Sequence, residues 1–256
     1  MLVRTWNLFH GNTVPRSRDN YLEEMVRLAV SDAPAVLCLQ ELPLWALPEL
    51  EGWSGMTAFT QVAHRTPLSA TLGRTVTEVH PGLLRSAVSG QGNAILLDRS
   101  LEPFDYHALV LNPRGFRSRE RGLELGTRLA WAKERRALQV VRAALPDGQN
   151  VLVANLHATH YPADRRLAEA EVRRGAEFFL ALAQPGEIDV FAGDFNLTGE
   201  QLGALVEEGF SDPGPGVDHV LVRGAAVSPP ERWPDDRRRL HGRLVSDHAP
   251  LEVRVG

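Results

Sequence analysis

The chain has little of several things, and each shortage closes a route. Cys38 is the only cysteine among 256 residues, so no internal disulfide can form and a thiolate zinc site would lack its sulfurs. Disulfide scaffolds and zinc ribbons are thereby excluded. Cys38 sits in the apolar run Ala35–Leu39, where a buried, inert thiol is expected. No segment approaches the roughly 18 consecutive apolar residues of a membrane span. The opening residues MLVRTWNLFHGN hold no apolar stretch of signal length followed by a small-residue cleavage site, and the expected location is the cytoplasm. Charge of one sign is also lacking. Against 28 cationic residues stand 32 acidic ones, a formal net charge of −4 that speaks against coating nucleic acid or anionic membrane by bulk charge. Lys133 is the single lysine, a skew from which we read no function. What is present, 43% hydrophobic and 23% charged residues, is enough to bury a core and too apolar for a disordered chain.

Short apolar runs recur. Leu2–Leu8, Ala35–Leu39, Asn93–Leu97, His107–Leu111, Leu138–Ala144, Val151–His157, Ile188–Ala192, Val217–Val222 and Leu251–Val255 read as strands by length and Val/Ile/Leu content. Helical spacing appears over Asp19–Val30, where Tyr21, Leu22, Met25, Val26 and Ala29 share a face, and over Asp164–Ala183, with Asp164 as a cap. Thr198 caps a third, Thr198–Glu208. Without a Pro/Gly-rich linker midway, the pattern predicts one α/β domain over residues 1–256. Trp53–Gly92 and Asn112–Arg136 read as long loops of the kind that often carry function. Asn112–Arg142 holds nine cationic residues against three acidic ones. It is either a solvated face or an anion-binding surface built on Arg114, Arg117, Arg119 and Arg121.

Nearly every strand ends in a carboxylate, carboxamide or imidazole. Asn7, Glu41, His157 and the pair Asp194 and Asn196 close four of them, Asp218 opens another, and Asp247-His248 precedes the last. Strand ends in α/β proteins gather at one sheet edge, where ligands bind. Glu41, Asp194, Asp247 and the amide oxygen of Asn7 make an oxygen-rich set suited to Mg²⁺ or Mn²⁺. His157 and His248 supply donors for phosphoryl oxygens or a leaving group. Such a set fits phosphate-ester hydrolysis.

At this point the sequence resembles the endonuclease/exonuclease/phosphatase superfamily. The matching pieces are TWN (5–7), LQE (39–41), GNAILL (92–97), NLHATH (155–160), GDFN (193–196), DHVLV (218–222) and SDHAPL (246–251), in order and across almost the whole chain. The resemblance implies a four-layer α/β/β/α sandwich, two packed mixed β-sheets flanked by helices. It also implies roles: Asn7 and Glu41 hold the divalent ion, Asp247 is a further metal ligand or water-positioning group, and Asp194 orients or deprotonates the attacking water. Asn196 holds the phosphoryl group, His248 binds a phosphate oxygen or transfers a proton with Asp218 orienting its ring, and His157 lies beside the scissile phosphate. Residue by residue, plainer readings exist: Asn7 a strand-end amide, His157 a core histidine, Glu41 a cap of a helix Leu42–Leu50, Gly193–Asn196 a turn. The ordered set outweighs them.

The expected activity is a Mg²⁺- or Mn²⁺-dependent phosphodiesterase working as a monomer, foremost a nuclease. A phosphatase or phosphodiesterase of a small-molecule or lipid phosphoester is the alternative. A non-catalytic binding protein on the same fold is disfavoured because Glu41, Asp194 and His248 are all present. A zinc hydrolase built on His157, His160 and Asp194 is a further alternative, although at a strand end the H-x-x-H spacing splays the rings.

Overall fold

Period-two alternation sorts the side chains of six central strands into an inward and an outward set, and both sets are buried. The computed structural model describes residues 1–64, 90–120, 122–133 and 135–256. Its larger strands are β1 (Leu2–Asn7), β3 (Val36–Leu42), β4 (Thr57–His64), β5 (Gln91–Leu97), β6 (Glu102–Val110), β7 (Ala137–Ala144), β8 (Asn150–His157), β9 (Ile188–Asp194), β10 (Asp218–Arg223) and β14 (Leu251–Arg254). The short ones are β2 (Thr13–Val14), β11 (Glu231–Arg232), β12 (Arg239–Leu240) and β13 (Arg243–Val245). One sheet runs β11-β14-β1-β3-β5-β4 and the other β10-β9-β8-β7-β6, with a small sheet β12-β13-β2 at the side. Each large sheet is antiparallel except for one parallel pair, β1 with β3 and β8 with β9.

Between the sheets lie Val3, Val36, Cys38 and Ile95 from one and Val141, Val153, Val190 and Val220 from the other. Outside the first sheet, helix Leu22–Ala29 packs Leu22, Met25 and Val26 against Trp6, Leu37 and Leu39. Outside the second, helix Arg166–Leu182 packs Val172, Ala176 and Phe179 against Val140, Leu152 and Phe191. The result is the expected four-layer sandwich. Asp164 Oδ1 accepts from Arg166 N at 3.2 Å at the long helix's start, and Gln201 Oε1 accepts from Thr198 N at 3.1 Å.

Three segment readings change. The expected loop Trp53–Gly92 contains the edge strand β4, while its residues 65–89 lie outside the described set. Asn112–Arg136 carries the helices Arg114–Arg117 and Leu125–Lys133. Instead of a helix over Leu42–Leu50 there is a 3-10 turn Leu44–Glu49 followed by helix Leu50–Ser54. Glu41 therefore caps nothing and belongs to β3. Cys38 is fully buried as expected, and burial pushes its thiol pKa far up.

Candidate active site

The face between the sheets is graded from end to end. Past the apolar residues come neutral polar ones: Gln40 Nε2 donates to Thr5 Oγ1 at 3.0 Å and to Asn155 Oδ1 at 2.7 Å. Asn155 Nδ2 donates to the carbonyls of Leu39 and Ala94 at 3.0 and 2.9 Å, tying the sheets together. Beyond them, at the carboxyl ends of both parallel pairs, come the ionisable residues.

Register builds the next row. His157 is directly opposite Asp194, and Asp194 directly opposite Asp218, across β8, β9 and β10. Neighbouring strands are about 4.8 Å apart and opposed residues share a face, so three candidate side chains are forced side by side. The close approach requires Gly193, at φ 137°, because a Cβ there would stand 2.0 Å from Leu156 O. From the other sheet Asn7 reaches across, its Nδ2 donating to Asp194 Oδ2 at 3.1 Å while its Oδ1 accepts from Phe9 N at 3.0 Å. Plain alternation would aim Glu41 outward. A register shift between Leu39 and Leu42 and a left-handed Glu41 (φ 55°) turn it into the site. There His10 Nε2 and His157 Nε2 stand 3.7 and 3.8 Å from its two oxygens.

His248 closes the cluster. Its Nδ1 lies 2.9 and 3.0 Å from the oxygens of Asp218, and its Nε2 lies 3.9 Å from Asp194 Oδ2. Ser246, at φ 60°, holds this turn by donating to Asn7 O at 2.7 Å and accepting from His248 N at 3.0 Å. Of seven non-glycine residues with positive φ among the described ones, Phe9, His10, Glu41, Asn196 and Ser246 lie in the segments that build the site, a concentration of backbone strain typical of functional positions. Asn196 N donates to Asp194 Oδ1 at 3.0 Å, its Nδ2 donates to Ala158 O, and its Oδ1 lies 2.8 Å from His160 Nδ1. Asp247 is on the exposed rim.

Burial and then the charge of Asp218 push Asp194 up to about 7. At His248 burial opposes the proton, but the hydrogen bond and charge of Asp218 outweigh it and hold the imidazole at about 10. Partial burial of its carboxyl, with Glu41 adding like charge, raises Asp247. His157 is lowered, by burial first and by the charge of Arg136 second. The cluster thus holds more carboxylate charge than its imidazoles neutralise.

The sequence profile of the endonuclease/exonuclease/phosphatase family matches residues 5–248. The chain belongs to that family. No curated protein matches it. Among solved structures, a functionally unknown conserved protein of Enterococcus faecalis V583 shares 18% identity at a TM-score of 0.72, covering 100% of this chain and 99% of that one. An endonuclease/exonuclease/phosphatase of Beutenbergia cavernae DSM 12333 shares 18% at 0.69, covering 100% and 72%. The mannosyl-6-phosphatase of Bacteroides thetaiotaomicron VPI-5482 shares 14% at 0.66, covering 100% and 99%. At these identities the likeness shows the fold.

Members of this family are divalent-metal-dependent phosphoester hydrolases, and the donor chemistry here fits such an ion. Glu41, Asp247 and the Asn7 amide offer hard oxygens beside an excess of negative charge. Among the described residues, Asp194, Asp218 and His248 also place ligand atoms within 4.8 Å of one another. The zinc set His157, His160 and Asp194 is not assembled: His160 Nδ1 is engaged by Asn196, and no such group of three occurs among the described residues. The arginine group offered as a solvated face or an anion-binding surface stands apart from the row of His157, Asp194 and Asp218. Arg117 donates to Trp131 O at 3.1 Å, Arg114 and Arg119 are on the surface, and Arg121 lies outside the described residues. The guanidinium at the site is Arg136, buried, with Nη1 3.0 Å from His157 Nδ1. Sequence reasoning passed over Arg136 along with Gln91, His10 and the buried Glu171. His219 is a core histidine between the carbonyls of Pro213 and Leu197.

Proposed function

We propose that this chain is a Mg²⁺- or Mn²⁺-dependent phosphodiesterase acting on nucleic acid. The row His157–Asp194–Asp218, faced by Glu41, Asn7 and His248, carries this reading. Glu41, Asn7 and Asp247 would hold the ion, which when bound supplies charge to the phosphoryl group and to the developing oxyanion. Asp194, near 7, is matched to accepting a proton from water at neutral pH. The water oxygen bonds to phosphorus in line with the ester oxygen, whose bond to phosphorus breaks. The leaving oxygen takes its proton from His248, which Asp218 keeps charged. Asn196 retains a second amide N–H for a phosphoryl oxygen after bonding Ala158 O.

Guanidinium groups from separate segments surround this row although the chain is net acidic. Arg232 Nη1 stands 3.9 Å from Asp218 and Arg165 donates to Asn196 O at 3.2 Å, both on the surface. Cations so placed suit a substrate with phosphates flanking the reactive one, which supports a nucleic-acid strand over a lone phosphomonoester.

The test compares nicking of a supercoiled plasmid with hydrolysis of bis-p-nitrophenyl phosphate and its monoester, each with Mg²⁺, Mn²⁺ or EDTA. Metal-dependent nicking and diester hydrolysis support the reading. Cleavage of the monoester alone would replace it with a phosphatase, and no cleavage by folded protein under any metal would overturn the hydrolase.

A further inference from the structure

His157 and His248 face one carboxylate oxygen, Asp194 Oδ2, at 3.6 and 3.9 Å, yet their rings are held in opposite senses. At His248, Nδ1 faces the two oxygens of Asp218. An ionised carboxylate only accepts, so Nδ1 carries a proton. At His157 the partners of Nδ1 are donors: Gln91 Nε2 at 3.1 Å and Arg136 Nη1 at 3.0 Å, the latter also 3.2 Å from Nε2. The amide of Gln91 has one workable orientation. Its Oε1 accepts from Arg136 Nη1 at 3.3 Å, and turning it over would set an NH₂ against a guanidinium that has no acceptor and does not deprotonate. Arg136 Nη1, nearly equidistant from both ring nitrogens, lies over the ring and orients Gln91, and the Gln91 amide donor on Nδ1 requires that atom to accept. The ring proton then sits on Nε2, the atom turned toward Glu41 and Asp194.

We infer that Gln91 and Arg136 are positioning residues that fix His157 as the Nε2–H tautomer, so that it donates a hydrogen bond to a phosphoryl oxygen of the substrate and takes no part in proton transfer. The donor role rests on the phosphoesterase reading; the tautomer does not. Both partners are buried, Gln91 as the first residue of β5 and Arg136 as the residue just before β7, two strands antiparallel to their neighbours. Arg136 is anchored by its backbone, whose N donates to Asn112 Oδ1 at 3.0 Å and whose carbonyl accepts from Leu111 N at 2.8 Å. Its charge acts on the buried carboxyl of Glu171. Burial raises that carboxyl, Arg136 is the foremost influence lowering it, and it accepts from Trp131 Nε1 at 2.6 Å and from the N and Oγ1 of Thr159 at 2.6 and 2.8 Å. The segment following His157 is thereby fixed to the long helix, and the guanidinium is held over the imidazole without needing it as a counter-ion.

The experiment is ¹⁵N NMR of protein labelled at histidine ring nitrogens at neutral pH, with His157 assigned from the signals lost in His157→Gln. The wild-type protein is expected to show a pyridine-like shift on Nδ1 and a pyrrole-like shift on Nε2. The reverse pattern, or imidazolium shifts on both, overturns the inference. Gln91→Glu puts an acceptor beside Nδ1 and is expected to invert the pattern and to lower kcat on bis-p-nitrophenyl phosphate roughly tenfold or more, with KM little changed. An inverted ring with unchanged kcat overturns the donor role. A protein with the Nε2–H ring but no phosphodiesterase activity overturns the proposed function and leaves the tautomer standing.

Discussion

Two buried ionic clusters occupy the same sheet sandwich, and they are wired oppositely. On the outer face of the first sheet, the fully buried Arg4 donates through Nε to Glu252 at 2.7 Å and through Nη1 and Nη2 to the two oxygens of Asp32, each at 2.7 Å, and also bonds Ala29 O. Trp233 Nε1 adds a bond to Glu252 at 2.7 Å and lies between two guanidiniums, Arg4 at 4.4 Å and Arg237 at 3.7 Å from its ring centre. Each carboxylate meets a cation, and the Arg4 hydrogen bond brings Asp32 down to about 2. At the strand ends, burial first and then the charges of Asp218 and Glu41 push Asp194 up to about 7. Identical side chains thus serve stability in one place and stored electrostatic repulsion in the other. The difference lies in whether the protein itself supplies the counter-charge.

Removing catalytic groups should have the largest effect on turnover. Asp194→Asn and His248→Ala are each expected to lower kcat roughly a thousandfold or more with circular dichroism unchanged; near-normal hydrolysis by either variant contradicts the site. Asp194→Asn should also raise the melting temperature of metal-free protein, since it removes a repelled buried charge. Removing Arg4 should do the reverse. Arg4→Ala leaves the buried Glu252 with Trp233 Nε1 and, at 3.6 Å, Arg237 as its remaining partners and is expected to cost about 3 kcal/mol in denaturant unfolding, with the unfolded fraction accounting for any lost activity.

The acid limb separates the clusters by sign. Asp32, depressed from 3.8 to about 2, contributes stability that is fully present above pH 4 and is lost as pH falls toward 2, so Asp32→Asn should flatten the acid limb of a stability–pH curve. Asp194, raised from 3.8 to about 7, binds its proton more tightly when folded. Metal-free protein should therefore lose stability from about pH 4 to 7, and Asp194→Asn should remove that slope. An unchanged slope in the variant would show that the repulsion lies elsewhere. At the small end, the exposed pair Arg27–Glu23, 2.9 Å apart on one helix, should matter little. Arg27→Ala is expected to change stability by no more than about 0.5 kcal/mol.

The contrast also explains what was legible in the sequence. Most of the strands announced themselves as apolar runs because they are buried on both faces, whereas the largely exposed β6 showed only its last residues, over His107–Leu111. β4, at a sheet edge and mixing Thr57, Thr60 and Gln61 with Phe59 and Val62, has no such run. Asn7, Glu41, His157 and Asp194 were found because polar residues at the ends of apolar strands stand out. Gln91 and Arg136 were missed because they lie at or just before the starts of their strands, and in an antiparallel sheet the start of one strand lies beside the end of the next. Glu171 was invisible as a functional group, since a carboxylate on the packed face of a helix reads as an interruption until its three donors are in place. The pairing of Arg4 with Asp32 and Glu252 joins residues 28 and 248 positions apart, which no local pattern reveals.

The central claim is that the strand-end cluster lacks its counter-charge and takes it from a divalent ion. The direct measurement is the melting temperature of wild-type and Glu41→Gln protein titrated with Mg²⁺ and with Mn²⁺. A wild-type melting temperature that climbs with metal concentration, as ligand binding to the folded state requires, and a flat response in Glu41→Gln are the predicted results. An equal rise in both proteins, or none in the wild type, would contradict the account.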